Sequence, residues 1–178
     1  MTLMTMKFIK FFNFTAALSL LLFLNGCGYH IGSINHPQFK SLAIAPVTNE
    51  TLTYNASSIL RGKLTEKCTV FSNLKLKSQK TADAILYCKI LKITTREIVD
   101  TSTDNQEIFR PAEWELVMEV EYSILIPGRK RPLIDKRIVV GRSNFQYLGD
   151  YTTSKRNGIN QASQRLATKI INQATEAW

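Results

Sequence analysis

The chain is poor in the residues from which catalytic and metal sites are usually built. Its 178 residues include two histidines and three cysteines. His30 and His36 lie six apart in a turn-forming stretch without thiolate or carboxylate company, which makes a poor metal pair and gives no shell to orient a general base. No nucleophile paired with a base and no phosphate-cradling loop stands elsewhere, so the sequence reads as non-enzymatic. Low-complexity tracts, internal repeats and a mid-chain linker are missing too, which argues for one folded domain. The longest apolar run, Phe14 to Leu24, has eleven residues. That is about 16 Å of helix against a hydrocarbon core of roughly 30 Å, too short for a permanent span. Acid is scarce as well, with 14 Asp+Glu against 23 Lys+Arg and a net charge of +9.

What is present begins with a leader. Lys7 and Lys10 precede the apolar run, the layout of a secretory signal peptide. Met1, Met4 and Met6 all stand before the lysines, so the start methionine is open. At the end of the run, Leu24-Asn25-Gly26-Cys27 is similar to the bacterial lipobox, in which the cysteine thiol receives a diacylglycerol, the chain is cut before it and the new amine is acylated. Asn25 departs from the usual Ser/Ala-like residue. The similarity implies that residues 1–26 are a cleaved lipoprotein signal peptide and Cys27 the lipid attachment site; the alternative is a plain leader with Cys27 an ordinary thiol. Each acyl chain adds about 0.8 kcal/mol of membrane affinity per buried CH₂, so several chains anchor without a spanning helix. Gly28 is not the aspartate associated with inner-membrane retention, which implies the outer membrane. Apart from the covalent diacylglycerol and N-acyl lipid on Cys27, no cofactor is expected.

Without the leader, which holds two lysines and no acid, 21 Lys+Arg remain against 14 Asp+Glu. A basic domain outside the cytoplasm suits anionic partners such as a phosphorylated glycolipid or an acidic protein surface, and makes nucleic acid an unsuitable one. Cys68 and Cys88 fall on apolar positions, where a disulfide and two reduced buried thiols are both open.

Along the mature chain, residues 27–38 read as a lipidated tether rich in turn formers. Ser41 to Val47 reads as a buried strand, and Thr48 to Asn55 as polar turn chemistry. Ala56, Ile59, Leu60, Leu64, Cys68 and Phe71, at steps of three and four, predict an amphipathic helix with Asn55 as N-cap. Leu74 to Lys77 is a short strand, and Ala84 to Val99 a long one bent near Thr94 and Thr95. Residues 100–112 are a polar loop. Trp114 to Ile126 alternates: Trp114, Leu116, Met118, Val120, Tyr122 and Ile124 face a core, while Glu115, Val117, Glu119, Glu121 and Ser123 face water. Pro127 to Pro132 turns the chain into Leu133 to Phe145, an antiparallel partner. Ser154 to Ala177 is a closing helix with Ile159, Ala162, Leu166, Ile170 and Ala174 as its stripe. The fold expected is α+β, two helices packed on one face of a mixed, mostly antiparallel sheet of about four strands.

Taken together, Gly26 to Ser33, Phe39 to Leu52, the helix after it, Thr81 to Ile90 with its Ala-Asp-Ala lead-in, and the long strand pair ending in a helix resemble the outer-membrane lipopolysaccharide-assembly lipoprotein family, LptE. The resemblance makes 39–178 a single LptE-like domain. It implies a lipoprotein at the periplasmic face of the outer membrane, seated as plug and assembly factor in an LptD-like β-barrel that inserts lipopolysaccharide into the outer leaflet. Arg129, Lys130 and Arg131, on a turn stiffened by two prolines, are then candidates for lipopolysaccharide phosphates, which arginine can grip with two hydrogen bonds. A solvated basic turn is the plainer reading. Lys155 and Arg156, at the predicted start of the last helix, oppose its dipole and point the same way. The alternative role is a lipoprotein scaffolding another envelope complex without lipopolysaccharide contact.

Overall fold

Alternation of apolar and polar side chains makes the middle of the sheet. The computed structural model describes residues 39–71, 74–98, 113–146 and 149–175. Its elements are β1 (Ser41–Ile44), β2 (Thr48–Asn49), α1 (Ala56–Phe71), β3 (Lys75–Leu76), β4 (Ala84–Ile98), β5 (Glu113–Leu125), β6 (Ile134–Gln146) and α2 (Tyr151–Thr175). The leader, Cys27, the tether and the loop 100–112 lie outside the described residues.

Along β5, Leu116, Met118, Val120, Tyr122 and Ile124 are buried, as the alternation requires. Burying each such side chain stabilises the fold by about 1.5–3 kcal/mol relative to exposure. Ala84, Leu86, Cys88 and Ile90 of β4 continue the same face. Against it α2 crosses β5 and β6, while α1 lies beside α2 and over β1 and β3. The stripes explain this: Ala56, Leu60, Leu64 and Cys68 of α1, and Ile159, Ala162, Leu166, Ile170 and Ala174 of α2, are all buried. The α+β class and the two helices on one face are therefore as read from the sequence.

The expected sheet of about four mostly antiparallel strands is corrected. Six strands form a mixed sheet of order β3-β1-β4-β5-β6, with β2 also on β4. β1 runs parallel to β3 and β4, and β2 parallel to β4. Only β4–β5 and β5–β6 are antiparallel. The helix α1 is the reason, since a crossover returns the chain to the starting end of the sheet and the next strand runs in the same sense. β3 lies within the short strand expected at Leu74 to Lys77, whereas β2, two residues inside a stretch expected as turn, is too short to show any periodicity.

The bend expected near Thr94 and Thr95 is displaced. The register of β4 against β5 slips between Ile90 and Lys92, a bulge that leaves Leu91 extra and switches which later residues face the core. Cys68 and Cys88 are both buried and neither is in a disulfide, and burial pushes the Cys88 thiol up to about 12. The choice left open between disulfide and reduced thiols thus falls to the thiols.

Candidate functional site

The β5–β6 turn is held at its base by the Leu133 amide donating to the Ile124 carbonyl at 2.8 Å and the Arg129 amide donating to Ile126 at 3.1 Å. Gly128 takes φ +85°, a left-handed conformation that costs glycine little. Arg129, Lys130 and Arg131 all come out exposed between Pro127 and Pro132. The structure therefore gathers these three candidates on one turn. It does not add the arginines of β6 together: Arg137 pairs with inward-facing Tyr122 and Arg142 with outward-facing Val117, so they lie on opposite faces.

The face of the sheet away from the helices is a charged surface with an order. The acids Glu115, Glu119 and Glu121 run down β5, and β4 sets Arg96, Lys92 and Lys89 directly across from them. Arg96 Nε lies 2.6 Å from Glu115 Oε2, and Lys136 Nζ 3.7 Å from Glu121 Oε1. Glu115 keeps only 13% of its side chain exposed, whereas Arg96 keeps 72%. The sequence placed these acids in water. They are instead half-covered, because long cationic side chains from the flanking strands lie over them. Lys89 also bonds Glu50 at 3.0 Å, which holds its ammonium above the usual lysine range, chiefly through that hydrogen bond.

Lys155 and Arg156 do not open α2. The helix starts at Tyr151, one turn earlier, because Asp150 caps it: its Oδ1 accepts the Thr152 amide at 2.8 Å and its Oδ2 the Thr153 hydroxyl. These hydrogen bonds hold the Asp150 carboxyl below its usual range, the Thr153 hydroxyl foremost. A carboxylate at the N-terminus matches the dipole. Lys155 sits in the second turn with its ammonium 5.8 Å from the Tyr151 ring centroid, so the expected charge mismatch disappears. Tyr151 itself meets Trp114 edge-on at 5.6 Å and Phe145 at 6.1 Å, which pins the start of α2 to β5 and β6.

One exposed feature escaped the sequence reading. In the loop before α1, Asn49 Oδ1 accepts from the Thr51 amide and hydroxyl, Asn49 Nδ2 donates to the Thr53 carbonyl, and Thr53 N donates to Thr51 Oγ1. Asn55 follows with φ 59°, a left-handed position that asparagine tolerates. This braced loop displays Leu52 and Tyr54, 107% and 85% exposed. Two large apolar residues within a polar turn were the available signal.

Cys27, His30 and His36 lie outside the described residues. Among the described residues no group of three or more His, Cys, Asp or Glu could hold a metal ion, and no helix is long and apolar enough to cross a membrane.

Comparison with known proteins completes the picture. No curated protein matches the chain. Among solved structures, a protein from Xanthomonas campestris is similar with TM-score 0.53 at 10% identity, covering 82% of this chain and 86% of that one. A hypothetical protein from Chlamydia trachomatis is similar with TM-score 0.50 at 14% identity, covering 76% and 95%. At such identities the likeness concerns the fold alone. The family described as LptE, lipopolysaccharide-assembly, matches residues 39–174, from the residue before Lys40 to the last turn of α2. A match over the whole folded domain, in the strand and helix order described above, places this chain in the LptE lipopolysaccharide-assembly family.

Proposed function

We propose that this member of the family is a non-enzymatic outer-membrane lipoprotein, anchored at the periplasmic face through acyl chains on Cys27. It serves as plug and assembly factor of an LptD-like β-barrel that carries lipopolysaccharide to the outer leaflet. The observation that carries this reading is the family match across residues 39–174. The charged outer face supports it physically. A barrel lumen is polar and water-filled, and a plug facing it needs a surface of ordered, satisfied charge rather than a large apolar patch. The alternating cations and acids of β4 and β5 give such a surface.

In this reading the exposed turn of Arg129, Lys130 and Arg131 meets phosphate groups of lipopolysaccharide. Its guanidinium groups offer paired donors to an oxyanion, and its two prolines limit the entropy lost on ordering. Recovery of the tagged, membrane-borne chain in mild detergent tests the assignment. A large β-barrel protein should come with it in stoichiometric amount. Recovery of other envelope proteins without a barrel would favour a scaffolding role and remove this one.

A further inference from the structure

The sheet has two ends, and the tether reaches the domain at one of them. Ser41 pairs with Lys75, Leu42 with Ala84, and Ile85 with Leu125. The first described residues, the start of β3, the start of β4 and the β5–β6 turn therefore share an end. On its β3 side this end collects lysines. Lys40 precedes β1, Lys75 opens β3, Lys77 follows it, and Lys80 lies in the next turn. The backbone ties them closely: Lys75 N donates to the Lys40 carbonyl at 3.0 Å and Lys77 N to the Leu42 carbonyl at 3.1 Å.

All four lysines are exposed, and their ammonium groups form no ion pair among the described residues. The nearby acid is Asp83, whose Oδ2 accepts the amides of Lys40 at 3.0 Å and Ser41 at 2.9 Å and whose charge interacts with Lys77, so one acid stands against four cations. The cluster contains no arginine, whereas the β5–β6 turn holds two. Arginine suits paired hydrogen bonds to one phosphate; lysine is a hydrated point charge suited to a diffuse anionic surface.

Chain length supplies the occupant. Residues 27–38 span at most about 43 Å fully extended, at up to about 3.6 Å per residue. Acyl chains on Cys27 would hold this end of the sheet within that distance of a headgroup layer. Lys40 is the first Lys or Arg after the tether in the chain.

We propose that Lys40, Lys75, Lys77 and Lys80, along the β3 edge, form a docking surface for the anionic phospholipid headgroups of the leaflet that holds the tether. This rests on the Cys27 anchor in the proposed function and adds a second, electrostatic membrane contact, separate from the phosphate-binding turn. Such a surface orients the domain: the β3 edge faces the membrane and the charged outer face is left to the barrel. Attraction of this kind changes partition about fivefold for each lysine and fades within a Debye length, about 8 Å at physiological salt.

The test uses the chain from residue 27 with Cys27→Ser, which carries no acyl group. Residues 33–178 form a compact unit by themselves, so the folded part is intact. Sedimentation with vesicles of phosphatidylcholine containing phosphatidylglycerol should show binding that weakens steeply between low and physiological salt, with little binding to phosphatidylcholine alone. Replacing the four lysines with glutamine should lower the partition more than a hundredfold, and replacing them with arginine should preserve it. Replacing Arg129, Lys130 and Arg131 with glutamine should leave most of it.

Equal binding to neutral vesicles would overturn the proposal, as would loss with the turn variant alone. So would a glutamine variant that binds normally but self-associates, since the lysines would then only guard the β3 edge against strand pairing. Should the glutamine variant fail to fold, the salt dependence of the unaltered chain and the arginine variant decide. Because the assay lacks acyl chains, its failure leaves the Cys27 anchor standing, and a mass measurement of Cys27 in cells can fail independently of it.

Discussion

Gly141 of β6 and Leu166 of α2 touch where no side chain but hydrogen fits. A β-carbon on Gly141 would lie 2.5 Å from Leu166 Cγ and 2.6 Å from the Ala162 carbonyl oxygen. The helix rests directly on the strand there, and the Ser143 hydroxyl donates to the Gly158 carbonyl at 2.7 Å one turn along. That close approach sets the distance between α2 and the sheet, and with it the layer of Leu116, Met118 and Val120 between them.

Gly141→Ala should therefore destabilise the domain by about 1–3 kcal/mol, the usual range for overpacking. Urea unfolding measures it. Since the Ala162 carbonyl belongs to the backbone, Leu166→Ala in the same chain should relieve only part of the strain. An alanine at 141 that costs nothing would mean the helix is free to shift.

Tyr122 is 1% exposed, and its hydroxyl donates to Gln173 Oε1 at 2.6 Å. Tyr122→Phe keeps the ring and removes the hydroxyl, leaving the amide oxygen of α2 short of a donor. A loss of about 0.5–1.5 kcal/mol is expected from thermal or urea unfolding.

The buried Cys88 thiol gives a pH signature. Its value in the folded chain, about 12 against an ordinary 9.0, is raised by burial. Its contribution is therefore fully present below about pH 9 and is lost as pH rises toward 12, at up to about 1.4 kcal/mol per pH unit. Urea melts at pH 7.5 and pH 10.5 should show a fall in stability that is smaller in Cys88→Ala. Comparing the two slopes separates the thiol from tyrosines and lysines titrating in the same range. Native Cys68 and Cys88 should also resist alkylation until the chain unfolds.

Three substitutions address the turn. Arg129→Gln, Lys130→Gln and Arg131→Gln together should weaken lipopolysaccharide binding by the purified protein at least tenfold, taking about 1.5–3 kcal/mol for a hydrogen bond to a charged group. Because the turn is exposed and held by backbone hydrogen bonds from Arg129 and Leu133, the melting temperature should hardly move. Unchanged binding would assign lipopolysaccharide contact elsewhere.

Much of this fold was legible because its long elements repeat a pattern many times. The alternation of β5 and the stripes of α1 and α2 each give several consistent positions; most are buried, Ile59 and Trp114 are partly buried against the core, and the Phe71 side chain is not among those described. Of the short parallel strands, β2 was missed for the opposite reason. Alternation in Leu74 to Lys77 marks β3, whereas Thr48–Asn49, inside a stretch of polar turn chemistry, joins the sheet only through its register with β4, which nothing local encodes. The start of α2 was placed three residues late because its apolar stripe begins only at Ile159, while the start is set by Asp150 capping through Thr152 and Thr153. The basic turn could be read directly, being contiguous. The lysine cluster could not, since Lys40 and Lys75 come together only through the pairing of β1 with β3.

The most direct measurement of the central claim is the arrival of newly made lipopolysaccharide at the cell surface after depletion of this protein. Pulse-labelled lipopolysaccharide should become inaccessible to a surface probe as the protein falls, and access should return with the unaltered chain. Normal surface arrival in its absence would contradict a role in lipopolysaccharide assembly.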